Sequence, residues 1–183
     1  MSKYDFIQKL QQEFPDHLLA EHPTYAPAKA MLDEAAAYYE KTQAIFNKSI
    51  KLTGELERSI TRLHKEHAEL KARLPALAMQ ALNNSDTKFT AATDARAELQ
   101  RILWEIEART DAIEGLRKAF VYDGVQRNAE SAAQSHTAAE SGLFTARYRV
   151  IERIGLAAWE DTIDELDEWP GRDEAFAFAR GLI

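Results

Sequence analysis

Five histidines and thirty carboxylates are the side chains of this 183-residue chain that could do chemistry, and cysteine is absent. Disulfides and thiolate metal sites are therefore excluded. His64 and His67 stand three residues apart in HKEHAEL. A metalloprotease helix needs two histidines at i, i+4 with a glutamate beside the first, and this spacing departs from that. A di-iron bundle needs Glu-x-x-His from two helices. The residues three before His64, His67 and His136 are Thr61, His64 and Ala133. His17 and His22 sit beside prolines and read as local hydrogen-bonding residues. No glycine-rich phosphate loop and no G-x-S-x-G elbow occurs. The sequence therefore predicts a non-enzyme with no catalytic residue, no metal and no cofactor.

The carboxylates are unevenly placed. From Gly155 to the C-terminus, eight acids face two bases, a balance of −6 out of −7 for the whole chain. Glu160, Asp161, Asp164, Glu165, Asp167 and Glu168 lie between Trp159 and Trp169. Tryptophan is enriched at interface hot spots, so these eight residues are the candidate partner-binding site. An acidic amphipathic helix is expected over 156–169, and the alternative is that it is only a solvated surface helix packed on the hairpin. Trp159, Ile163 and Leu166 would then pack inward and the acids would meet water, which is the commoner arrangement. Binding nucleic acid through its phosphates needs a basic footprint, and none runs along this chain. A basic protein partner matches the charge better, or the acidic segment mimics nucleic acid.

The elements that position these residues are helices. Gly (7) and Pro (5) are sparse, which favours helix, and no alternating run predicts a strand. Two arms are expected, within a hairpin over 28–121 that turns at Asn83-Asn84-Ser85-Asp86. Ser85 or Asp86 would cap the second arm. The first seam reads Leu52, Leu56, Ile60, Leu63, His67, Leu70, Leu74, Leu77, Ala81. Its 4-4 start at Leu52 is a stutter, and Pro75 predicts a kink or a separate turn over 76–82. The second seam reads Phe89, Ala92, Arg96, Leu99, Leu103, Ile106, Thr110, Ile113, Phe120, with Ile102 and Leu116 beside it. Such spacing fits a coiled coil.

An Ala-rich third helix is expected over 125–154, with the seam Val125, Ala129, Ala132, His136, Ala139, Leu143, Ala146, Val150. Gly155 would break the chain before an acidic helical segment over 156–183. His67 and His136 fall on seams, where a polar residue fixes register. Arg96, Thr110 and Arg117 lie on or beside the second seam. They either snorkel from its edge or pair with acids such as Glu55 or Glu57. Short helices are expected near both termini. The fold class is thus all-α: an elongated antiparallel coiled-coil hairpin with an added Ala-rich helix, forming one domain over 1–183.

The chain shows neither a secretory signal nor a run of ~18 apolar residues. A cytoplasmic protein, possibly carried in a virion, is expected, with no membrane partner. Residues 28–51 extend past the second arm. Ala36, Tyr39, Ile45 and Phe46 then need the third helix or a second subunit, so a homodimer is expected.

The organisation over residues 52–150 resembles the polarity suppression proteins of satellite phages. It carries a long helix, a polar turn from Asn83 to Asp86, a second long helix with ARAELQRILWEIEAR, and an Ala-rich helix. The resemblance implies an all-helical dimer that binds the transcription terminator Rho and can decorate a phage capsid. A protein partner, either a host factor or a capsid, is the expectation. No functional residue is carried over by it.

Overall fold

A computed structural model describes residues 1–84, 88–122 and 124–183. Its helices are α1 (Lys3–Glu13), α2 (Tyr25–Asn83), α3 (Thr90–Tyr122), α4 (Val125–Glu160) and α5 (Arg172–Arg180), with 3-10 turns at Asp16–Leu19 and Ile163–Glu165. No strand occurs among the described residues, and the fold is all-α. Contacts divide the chain into two compact units, a terminal unit of Met1–Thr42 with Ala129–Ile183, and a hairpin unit of Gln43–Asn128.

In the hairpin unit α2 and α3 pair in opposite directions. Phe46 meets Phe120 at a ring distance of 5.4 Å, and Arg117 donates to Glu57 at 3.4 Å. The covered positions of α2 step alternately by four and three from Phe46 through Ser49, Thr53 and Leu56. This is an unbroken heptad. The expected stutter is absent, because Thr53 takes the seam and Leu52 is exposed. The Thr53 hydroxyl is satisfied by donating to the Ser49 carbonyl at 2.9 Å. α2 also runs through Pro75 without a separate turn over 76–82.

The second seam needs a correction at every other position. Ala92, Leu99, Ile106, Ile113 and Phe120 lie on it as expected, but Ala95 and Ile102 are buried while Arg96 and Leu103 are exposed. Arg109 likewise replaces Thr110, and Leu116 replaces Arg117. Both patterns repeat every seven residues, so periodicity alone does not choose between them. The adopted one buries Ala95 and Ile102 and leaves the Arg96 guanidinium in water, which avoids burying an unpaired charge. Arg109 is half-buried and bonds the Glu105 carbonyl at 3.0 Å and its carboxylate at 2.9 Å. Exposed Thr110 donates to the Ile106 carbonyl. The proposed caps Ser85 and Asp86 lie outside the described residues. Gly124, at φ 69°, separates α3 from α4 in a left-handed conformation that suits glycine.

In the terminal unit α1 opens with a capping box between Ser2 and Asp5. Phe6, Leu10 and Phe14 bury one face of it against Val150, Ile151, Ile154 and Ala158 of α4. The α4 seam read from the sequence holds, with Ala129, Ala132, Ala146 and Val150 buried and Ala139 and Leu143 half-buried. His136 stacks on Tyr39 of α2 at 5.2 Å and 22°. Of the four residues expected to need a further partner, Tyr39 meets α4 and Phe46 meets α3, Ala36 is half-buried, and Ile45 remains exposed.

Two expectations about the C-terminal segment fail. Gly155 does not break the chain: α4 continues through it to Glu160, and Gly155 is buried. Its lack of a side chain lets α1 approach, since a Cβ there would sit 2.9 Å from Leu10 Cδ2. Nor is 156–169 a helix. Asp161 adopts φ 60°, and the Thr162 N–H bonds back to the Ala157 carbonyl at 2.9 Å. This is a Schellman stop with Asp161 at the left-handed position. After the 3-10 turn the chain is held by Leu166 and Trp169, both buried.

Candidate functional site

The acidic segment is anchored by its apolar residues. Trp159 packs on Phe6 at 5.6 Å. Trp169 is buried, donates its indole N–H to the Leu18 carbonyl at 3.0 Å, and meets the His22 ring edge-on at 4.6 Å. Gly171 completes this contact, since a Cβ there would lie 2.7 Å from the Leu18 oxygen. The two tryptophans thus serve the core.

The acids reach the surface, and most meet a base. Glu160 pairs with Lys3 at 2.6 Å, Asp167 with Arg153 at 2.8 Å, Asp161 with Arg180 at 3.5 Å, and Glu168 with Arg172 at 3.8 Å. Arg153 also donates to the Glu165 carbonyl at 2.8 Å. Exposed pairs of this kind contribute about 0–1 kcal/mol each. Their effect here is to tie the segment down and to leave less bare charge than the sequence implies. Asp164 and the Glu165 side chain are exposed.

Sequence reasoning missed Arg147, because no periodicity marks it. It donates to Asp16 at 2.7 Å and to the Gln11 and Phe14 carbonyls at 2.9 and 3.0 Å. It thereby satisfies carbonyls that the end of α1 leaves open.

The histidines are dispersed. His64 is exposed, while His67 is half-buried on the α2 seam. His136 lies half-buried on the α4 seam with its Nδ1 3.7 Å from Glu140. His22 is buried, and its Nδ1 accepts the Thr24 N–H at 3.0 Å, so the neutral ring carries its proton on Nε2. Burial holds the His22 pKa below its ordinary value. Arg153 adds to that lowering, and Asp167 opposes it. Among the described residues, no group of three or more His, Asp or Glu is placed to hold a metal.

Two grooves have apolar floors. One, of about 480 Å³, lies in the hairpin unit between Ile50, Thr53 and Gly54 of α2 and Leu116 and Phe120 of α3, with Glu57 and Arg117 at its rim. The other, of about 410 Å³, lies in the terminal unit between Ala28, Met31 and Ala35 of α2 and Ser135, Ala138 and Gly142 of α4. Neither gathers the convergent polar groups that catalysis requires. Large apolar side chains stand in solvent on these helices: Met31 and Tyr38 of α2, Trp104 of α3, Phe144 of α4. The sequence carried the signal for the first two, since Met31, Tyr38, Ile45 and Leu52 recur every seven residues.

No described helix is long and apolar enough to cross a membrane. Compared with protein-family models, curated proteins and solved structures, the chain matches none.

Proposed function

We propose that this chain is a non-enzymatic interaction protein that binds a protein partner through its helical surfaces. The observation that carries this is the exposure of Met31, Tyr38, Trp104 and Phe144 on paired helices whose grooves hold no polar cluster. Met31 and Tyr38 stand seven residues apart on one line of α2, and apolar side chains grouped on an ordered surface support a contact site. The resemblance to polarity suppression proteins supplies a partner class, namely a host factor such as Rho, or a phage capsid. On that reading the protein belongs to a phage or mobile element and works in the host cytoplasm or on the virion.

A second reading rests on the exposed Asp164, Glu165 and Glu168. They would block a nucleic-acid-binding host protein by presenting charge in place of phosphates. The test is affinity capture from bacterial lysate and from phage particles with the purified chain. Stoichiometric recovery of Rho or capsid supports the first reading. Recovery of a nucleic-acid-binding protein that Asp164→Lys with Glu165→Lys abolishes supports the second. Absence of any stoichiometric partner refutes both.

A further inference from the structure

We propose that the groove between α2 and α3 in the hairpin unit seats a helix of a partner protein. That helix lowers one large apolar side chain onto the groove floor and sets a carboxylate, one turn later, against the rim. The inference rests on the reading of helical surfaces as binding faces and names one groove and the chemistry of what fills it. The groove measures about 480 Å³, and its floor includes Ile50, Gly54, Leu116 and Phe120. Ile50 is 51% exposed, so the groove is an open trough and not an enclosed cavity. A small ligand is held by burying most of its surface. A trough between paired helices instead suits the anchor side chain of a docked helix.

Gly54 opens the floor. Glycine is disfavoured against alanine inside a helix, so the position calls for a reason. At Gly155 and Gly171 the reason is internal, because a Cβ would meet a neighbour at 2.9 or 2.7 Å. At Gly54 a Cβ would meet no atom of the described residues within 4 Å. The bare position serves no contact inside the chain, and it leaves room beside Ile50 and Leu116.

Charge selects the occupant. Glu57 and Arg117 face each other across the rim at 3.4 Å, with side chains 52% and 70% exposed. Arg117 uses one donor there, and the rest of its fork is open. Arg58 donates its Nε–H to the Gly54 carbonyl at 3.0 Å and pairs with no acid among the described residues. Two guanidiniums thus stand beside the groove against one carboxylate. The hairpin unit as a whole holds fourteen bases and twelve acids, a balance of +2 in a chain of −7. An apolar anchor followed by an acid is the complement of this floor and rim, and guanidinium–carboxylate contacts fix its orientation.

Amide NMR titration of the full chain with blocked helical peptides tests this. The probes are ~16-residue alanine–glutamine peptides. One carries Leu with Glu a turn later, the second has Gln for that Glu, and the third has Ala for that Leu. The Leu–Glu peptide should shift the amides of Ile50, Gly54 and Leu116 with a Kd on the order of 1 mM. Loss of the acid should weaken binding about threefold, and loss of the leucine should abolish it. In Arg58→Gln with Arg117→Gln, the first two peptides should bind alike. Gly54→Leu should bind none with unchanged helix content, because its side chain enters open space. Ile50→Glu, at an exposed position, should do the same, and it decides the matter if Gly54→Leu fails to fold. No shift at up to ~10 mM peptide overturns the proposal, as does binding that survives both variants. Octanoate is the competing probe. If it perturbs these amides more than the Leu–Glu peptide at equal concentration, the groove is a small-ligand site and the proposal fails. Partner capture is scored separately. A stoichiometric partner that Gly54→Leu captures as well as the wild type overturns the groove and leaves the reading of helical contact standing. A wild type that captures none while the Leu–Glu peptide binds refutes that reading and upholds the groove.

Discussion

Gly171→Ala should be among the most damaging single-methyl changes in this chain. The glycine has φ −97°, which any residue adopts, so no backbone strain is involved. The cost is contact. The new Cβ would lie 2.7 Å from the Leu18 carbonyl oxygen and 3.2 Å from Trp169 Nε1. The first of these is main chain and cannot rotate away. Relief requires the segment around Trp169 to move off the 3-10 turn, which stretches the 3.0 Å bond from Trp169 to Leu18. Overpacking costs about 1–3 kcal/mol, and loss of a buried hydrogen bond adds roughly 1 kcal/mol. The sum is about 2–4 kcal/mol, and at ~2–4 °C per kcal/mol the midpoint should fall by roughly 4–16 °C. Thermal unfolding gives the midpoint and urea unfolding the free energy, both followed by tryptophan fluorescence, since Trp159 and Trp169 report on the terminal unit. Gly115→Ala is the control: its Cβ meets nothing within 4 Å, and alanine in a helix gains about 1 kcal/mol. If Gly171→Ala unfolds within ~0.5 kcal/mol of the wild type, the close approach of this segment to Leu18 is wrong.

Acid should loosen the terminal unit through His22. Burial holds its folded pKa below the ordinary histidine value of 6.5, so its contribution is fully present above pH 6.5 and is lost as pH falls through the lowered folded value. Denaturation midpoints should drop over that window, and His22→Asn should flatten the drop; an unchanged pH slope in the variant would remove His22 from the account. His67→Leu should raise the melting temperature by the equivalent of about 1 kcal/mol, since an apolar residue on a seam replaces a polar one. A fall in melting temperature would show that His67 makes a bond the seam depends on. Asp161→Gly should stabilise α4's end by roughly 0.5–1 kcal/mol, because glycine adopts φ 60° without strain; thermal melts would reveal a loss instead if the Arg180 pair outweighs it. Reversing Asp164, Glu165, Asp167 and Glu168 to Lys should slow association and flatten its salt dependence only if this segment touches a basic partner. On-rates at two salt concentrations settle that.

What the sequence determined by itself was the kind of element and its period. The 3-4 repeat of apolar residues, the scarcity of glycine and proline, and the Ala-rich line ending at Val150 define long helices that must pair, because each carries one stripe to bury. The register of α4 was legible because Ala and Leu mark its seam without competitors. On α3 the period alone did not choose the register, since Ala95 with Ile102 and Arg96 with Leu103 both repeat every seven residues; the adopted line takes Leu116 in place of Arg117 and leaves the Arg96 guanidinium in water, at the cost of half-burying Arg109 beside Glu105. The C-terminal segment was decided by tertiary structure alone. Its acids and spaced apolar residues suit a helix locally. The chain instead stops at Asp161, so that Leu166 and Trp169 can reach the core and Trp169 can bond Leu18, 151 residues away in sequence. Gly155 shows the same limit from the other side: by propensity it is a breaker, yet it stays helical because burying α1 against α4 at that one bare position is worth more than the local preference.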